Sequence, residues 1–295
     1  MSTLELLKDF MADNSISQSA IARGIGRSAT AVNQFLKGKY AGDIEGLERE
    51  IEAFIDLQEE KKKENRSDLP FVETPTANRI LEFLQLAHLD SEMQVLYGGA
   101  GMGKSKAINA YAERNSGVIV IDVDPSYTAR DVLVELSKCL KISTRGSIND
   151  LMRECVRKLK NSDRLVIVDE AELLPHRALE ILRRLHDKAG VGMVLAGMDR
   201  LIINLKGKNG EYAQLYSRIG FAFNIGESLP QEDIHVITCA AHKDLSHLGD
   251  VMFRASQGNA RRLSKLIKRI ERMSTLNQSP PDREMVEEVA DMLIS

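Results

Sequence analysis

The chain has 295 residues, 43% hydrophobic and 28% charged, with a formal net charge of -3. That composition excludes wholesale disorder and points to two domains or three small ones. No global basic field announces nucleic acid, so any such binding must come from local patches. Three scattered cysteines, Cys139, Cys155 and Cys239, form no CxxC pair, which excludes a disulfide framework and fits a cytoplasmic setting. No apolar run reaches the length of a membrane span, and Met1–Met11 has no apolar signal core.

Residues 1–60 read as a small helical unit. Within it, Gln18–Gly38 (QSAIARGIGRSATAVNQFLKG) has Ile21, Ile25, Val32 and Phe35 as apolar positions, with Gly26 at a turn and Ser28 placed to cap a second helix. That spacing predicts a helix-turn-helix, with helices near 18–25 and 28–36. Its exposed second helix would offer Ser28, Thr30, Asn33 and Gln34 to DNA, with Arg27, Lys37 and Lys39 on phosphates. The first 60 residues carry about six basic and eleven acidic side chains, the acids gathered in 43–60, away from the motif. A helix-turn-helix used only for packing stays open as the alternative. The run 59–70 (EEKKKENRSDLP) reads as a linker or the frayed end of a helix, and a linker is placed at 61–75.

From residue 76 to 227 short apolar runs alternate with helical patterns. Met93–Tyr97, Val118–Val123, Leu165–Val168, Met193–Ala196 and Phe221–Ile225 predict five buried strands of a parallel sheet with helices on both faces. Gly98–Ser105 (GGAGMGKS) follows the first strand and precedes a helix, the context a phosphate-binding G-x-x-x-x-G-K-[ST] loop requires. The binding stretch is Gly98, Gly99, Ala100, Gly101, Met102, Gly103, Lys104, Ser105 and Lys106. Glycines let backbone N–H groups wrap phosphate oxygens; Lys104 reaches the β- and γ-phosphates of ATP, and Ser105 holds Mg²⁺. The strand Leu165–Val168 runs into Asp169 and Glu170. Asp169 is placed to support Mg²⁺ and Glu170 to polarise the attacking water.

The last part, 228–295, reads helical, with segments at 231–242, 248–256, 260–274 and 282–294; Pro281 is expected to start the final helix. In Ala260–Ser274, Arg261, Lys265, Lys268, Arg269 and Arg272 fall near one face and Leu263, Leu266, Ile267 and Ile270 on another. The basic face suits DNA, an acidic partner protein or solvent alone. The six histidines show no metal-ligand spacing.

In its order of elements the chain resembles the AAA+ ATPases, and among them the family of phage Mu transposition protein B. The likeness is carried by the helix-turn-helix, KGKYAGD, FVETPT, GGAGMGKS, LVIVDEAELL, QLYSRIG and QGNARRL, and it spans nearly the whole chain. The resemblance implies an α/β P-loop AAA+ ATPase with a C-terminal helical lid and an N-terminal all-α helix-turn-helix domain. It implies that Arg218 is a finger reaching the phosphate on a neighbouring subunit, and that Arg261 in the lid senses nucleotide in cis. It implies self-association into an ATP-dependent oligomer or filament on double-stranded DNA, with a transposase as partner. Loops lining such an assembly would bring Tyr127, Thr128 and Arg130, and Lys141 and Arg145, to phosphates. One position departs from the class: Met198 stands where a polar residue is expected, and Met cannot orient a water. Weak basal hydrolysis, raised by DNA or a partner, is therefore expected. Two rivals remain at this stage: a sequence-specific repressor with a nucleotide-sensing ATPase domain, and a helicase loader of the same fold.

Overall fold

The computed structural model describes residues 2–65, 69–207 and 212–293, and the chain divides into two compact units, Met1–Asp68 and Leu69–Ser295.

The first unit holds four helices: α1 (Thr3–Asn14), α2 (Gln18–Gly24), α3 (Ala29–Leu36) and α4 (Ile44–Asn65). Hydroxyl caps start the first three. Ser2 and Glu5 form a reciprocal capping box, and the Ser17 and Ser28 side chains accept from Ala20 N and Ala31 N. Gly26, at φ +68°, makes the turn between α2 and α3 where an L side chain would be strained. Leu7, Phe10, Ile21, Ala22, Val32 and Phe35 bury against Leu47, Ile51 and Ile55, which recur every four residues along α4. The predicted helix-turn-helix is present at the predicted place. Of the two readings of the charged run, the helix end is the one found up to Asn65, where α4 stops, because Glu and Lys are good helix formers. Residues 66–68 lie outside the described residues.

The second unit is a five-stranded parallel sheet of β1 (Met93–Tyr97), β2 (Val118–Asp122), β3 (Leu165–Asp169), β4 (Gly192–Gly197) and β5 (Ile219–Asn224), in the order β2-β3-β4-β1-β5. Alternation along the strands sends side chains to two cores. Val166 and Val168 enter one, with α7 (Ala129–Cys139), α8 (Ile148–Leu159) and α9 (His176–Ala189). Leu165 and Ile167 enter the other, with α5 (Pro75–Asp90), α6 (Lys104–Arg114) and the C-terminal helices. Two short helices, α10 (Arg200–Lys206) and α11 (Ala213–Tyr216), lead from β4 towards β5.

The C-terminal lid comprises α12 (Gln231–Ala241), α13 (Gly249–Ser256), α14 (Ala260–Asn277) and α15 (Arg283–Asp291). Leu263, Leu266, Ile267 and Ile270 of α14 are all buried, as their spacing predicts. Pro281 does not begin α15; the Asp282 carboxylate accepts from Met285 N at 2.8 Å and is the cap, leaving the proline just outside the helix.

Candidate nucleotide site

The loop between β1 and α6 holds Gly98, Gly101 and Gly103 at φ +144°, +78° and +89°, conformations closed to L side chains. Gly99 N donates to Gly226 O at 2.9 Å, fixing the loop beside the end of β5. Gly103 caps α6 without a side chain, so the helix N-terminus faces the loop with its N–H groups unblocked. Inside the loop Lys104 is buried and donates to Gly98 O and Gly99 O at 2.7 and 2.9 Å. Burial pulls its pKa below the ordinary lysine value, while Asp169, Glu172, Asp199 and Glu227 push it back up.

Asp169 ends β3, buried, and its Oδ1 accepts from Glu170 N at 3.0 Å. Glu170 follows in the left-handed region, φ 56°, and opens a single 3-10 turn, Ala171–Leu173. Desolvation raises the Glu170 pKa, helped by Asp122, Asp169 and Glu172; Arg261 opposes the rise. A carboxylate with a raised pKa is a better proton acceptor.

These side chains share one cavity of about 500 Å³ with Gly101–Lys106, Gly197 and Met198. Its far end is apolar: Leu69, Pro70, Phe71, Val72, Ile80, Leu229 and Ile237. The cavity thus combines a phosphate cradle with apolar walls that suit a nucleobase. The Ser105 hydroxyl and the Asp169 carboxylate beside it form an oxygen donor set that suits Mg²⁺.

The lid closes one wall. Arg261 N donates to Gly101 O at 3.3 Å and Asn259 Nδ2 to Ala100 O at 2.8 Å. A Cβ on Gly101 would lie 2.5 Å from the Asn259 side chain, so this close seat needs glycine. The strap 69–74 closes the other wall, where sequence placed a linker. Thr74 caps α5, and the fully buried Asp233 of the lid accepts from Thr74 Oγ1 at 3.1 Å and Thr76 N at 3.4 Å. Lys106 lines the cavity, and its ammonium donates to Leu69 O at 2.7 Å, holding the strap.

Asn259, Asp233 and Glu172 were missed by sequence reasoning. Asn259 carries a signal in hindsight, since Asn immediately before a basic helix is a cap.

Arg218 is not in this cavity. It precedes β5 and pairs with Asp187 of α9 at 3.1 Å. The phosphate loop follows β1, which runs parallel to β5, so the two stand at opposite ends of the sheet, about 20 Å of strand apart.

Among the residues read as DNA contacts, Thr30, Gln34, Lys37 and Lys39 are exposed and Asn33 is half-buried. Five of the residues read as DNA contacts also make contacts within the fold. The Arg27 guanidinium forms two bonds of 2.8 Å to Glu50, because α4 runs past it. Thr128 caps α7 in a capping box with Asp131, and Tyr127 packs against the core. Ser28, though exposed, directs its hydroxyl to the α3 cap. Arg130, in the first turn of α7, donates to Gly146 O at 2.7 Å in the α7–α8 connection that also carries Lys141 and Arg145. No group of three metal-ligating side chains occurs among the described residues, and no described helix is long and apolar enough to cross a membrane.

The AAA domain family matches residues 89–203. Among solved structures, the Aeropyrum pernix ORC2 protein (ADPNP–ADP complexes) has a TM-score of 0.59 at 18% identity, over 78% of this chain and 71% of that one. A mutant of Thermotoga maritima RuvB has a TM-score of 0.50 at 16% identity, over 76% and 70%. These likenesses concern the fold. Together with the loop, the acidic pair and the lid, they define a nucleotide-binding ATPase of the AAA class.

Sequence relatives narrow the class. The Mu-like prophage FluMu DNA transposition protein B of Haemophilus influenzae is 33% identical over 227 residues, 74% of this chain and 78% of that protein. The ATP-dependent target DNA activator B of Escherichia phage Mu is 32% identical over 210 residues, 68% of this chain and 65% of that one. The chain therefore spans just under two thirds of the phage Mu protein. It belongs to the Mu-type DNA transposition protein B family.

Proposed function

We propose that this ATPase binds double-stranded DNA with little sequence preference, assembles on it when ATP is bound, and activates a transposase. The observation that carries the assembly step is the position of Arg218. The phosphate loop, Asp169 and Glu170 lie at one end of the sheet, and Arg218 at the other. An arginine so placed is out of reach of its own loop, which supports a role at the site of another subunit. Nucleotide then ties subunits together, and hydrolysis releases them.

Within one subunit, backbone N–H groups of residues 98–105 and the α6 N-terminus bind the phosphates. Lys104 exchanges the carbonyls of Gly98 and Gly99 for phosphate oxygens, a step its present hydrogen bonds prepare by holding it in the loop. Ser105 and Asp169 hold Mg²⁺, which neutralises phosphate charge. Glu170 takes the proton of the attacking water, and Arg261 carries the nucleotide state into the lid. Met198 adds no strong hydrogen-bonding group at the phosphate end, in keeping with slow hydrolysis until DNA or a partner adjusts the site.

For DNA the reading rests on Thr30, Asn33, Gln34, Lys37 and Lys39 of the N-terminal unit, and on Arg130, Lys141 and Arg145 of the ATPase body. Short polar side chains with flanking lysines suit backbone contact better than strict base readout. The names of the relatives, a DNA transposition protein and a target DNA activator, support the same role.

The test is binding to random-sequence duplex DNA with ATP, with ADP and without nucleotide. Cooperative binding with ATP alone is expected. Equal binding in all three states overturns the proposal and favours a repressor with a detached ATPase.

A further inference from the structure

Glu172 lies two residues beyond the acidic pair, on the turn Ala171–Leu173. Asn204 of α10 donates from Nδ2 to the Glu172 carbonyl at 2.9 Å and so fixes its backbone. The side chain lines the nucleotide cavity with Lys104, Asp169, Glu170, Gly197 and Met198. Its Oε2 is buried, and among the described residues no donor reaches it. A buried carboxylate oxygen without a donor is unfavourable, and at the edge of an active-site cavity a small turn of the side chain would bring it to a ligand or water that completes it.

The next strand explains how the carboxylate gets there. A Cβ on Gly197, the last residue of β4, would lie 2.0 Å from Glu172 Oε2. Gly197 has no positive φ, so its backbone would accept alanine, but the added methyl would push the Glu172 carboxylate aside. Glycine at this position admits the carboxylate beside the phosphate end of the cavity. Met198, immediately after, has only a weak acceptor to offer.

Attack on a phosphoryl group requires a water whose lone pair faces phosphorus. Both of its protons must then be held by acceptors. Glu170 is one. Building on the ATPase site described above, we propose that Glu172 is the second acceptor, a catalytic residue that aims the attacking water from beneath Gly197. As the new O–P bond forms, the bond from the γ-phosphorus to the departing ADP oxygen breaks. One water proton passes to Glu170. The other stays on the water oxygen, hydrogen-bonded to Glu172, and leaves with the phosphate.

The experiment measures three quantities in the full chain with its DNA: ATP hydrolysis, affinity for a fluorescent ATP analogue, and affinity for ADP with aluminium fluoride. Glu172→Leu is expected to lower kcat on the order of 100-fold, to lower aluminium-fluoride complex affinity in parallel, and to leave ATP-analogue affinity within about threefold. Glu172→Gln, which keeps an acceptor oxygen, restores most of the rate. Gly197→Ala displaces the carboxylate and reproduces the loss. The double variant Gly197→Ala with Glu172→Leu is no slower than either single, because both remove one interaction. If Glu172→Leu fails to fold, Gly197→Ala carries the same test. Hydrolysis within twofold of wild type in Glu172→Leu or Gly197→Ala overturns the proposal. So does a loss of ATP-analogue binding equal to the loss of rate. Glu170→Gln is the control: undiminished hydrolysis there refutes the underlying site, not the role of Glu172 alone.

Discussion

In the N-terminal unit, residues that could face DNA also hold the helices together. Ser28 caps α3, and Arg27 is paired with Glu50. In the ATPase body the functional groups are held in place by other residues: glycines shape the loop, Gly226 anchors it, Asn259 seats the lid, and Asp233 fixes the strap. A side chain supported by a surrounding shell can change partners without loss of fold, as Lys104 must. One that is itself a cap or an ion pair cannot do so freely. The difference locates chemistry in the body and leaves the N-terminal unit with exposed short polar groups and lysines, the surface proposed above for DNA.

The strongest way to break this comparison is to remove Arg218, the group proposed to act between subunits. Arg218→Ala should lower ATP hydrolysis about 10³-fold while ATP binding stays within a few-fold. Mixing Arg218→Ala with Glu170→Gln chains should recover part of the activity, since a mixed interface joins an intact loop and acid pair to an intact arginine. No recovery in mixed assemblies would place Arg218 in cis.

A smaller effect is expected from the α9 network behind Arg218. Arg183 bonds Glu180 and Asp187, Arg184 also bonds Glu180, and Asp187 in turn holds Arg218. Hydrogen bonds from Arg183 and Arg184 hold the Glu180 pKa down at about 2. A depressed carboxylate pKa stabilises the fold above the unfolded value near 4.5 and loses that contribution as pH falls towards 2. Glu180→Gln should therefore cost roughly 1–3 kcal/mol at neutral pH, a difference that closes on acidification. Denaturant titrations of both proteins at pH 7 and pH 3 measure it.

The smallest effect sharpens the other side of the comparison. Lys37→Ala and Lys39→Ala should each reduce the salt slope of DNA binding by about 1, equally for all sequences. Arg27→Ala, its guanidinium already on Glu50, should leave that slope unchanged. A reduced slope for Arg27→Ala would mean the ion pair opens on DNA.

Most of the catalytic machinery was legible because it is local. GGAGMGKS between a strand and a helix, and DE at a strand end, are consecutive residues whose geometry follows from backbone chemistry. The five strands were legible as short apolar runs, but β5, expected to be buried, is a largely exposed edge strand with Phe221 62% exposed, because only β1 pairs with it. The second helix of the helix-turn-helix, α3, announced itself through Gly26 and Ser28. The reading of 61–75 as a linker went astray where a local signal has two physical outcomes. EEKKKEN is polar enough for a linker, and also made of good helix formers.

The sequence alone therefore determined the strands, the phosphate loop, the acidic pair and the helix-turn-helix, since each is encoded within a few neighbouring residues. The tertiary structure alone decided what spans long separations. It brought Asp233 to Thr74, Asn259 to Ala100 and Gly197 to Glu172. It also set Arg218 at the far end of the sheet from its own loop. Such contacts depend on strand order and on which helix covers which face, and no periodicity within one segment records either.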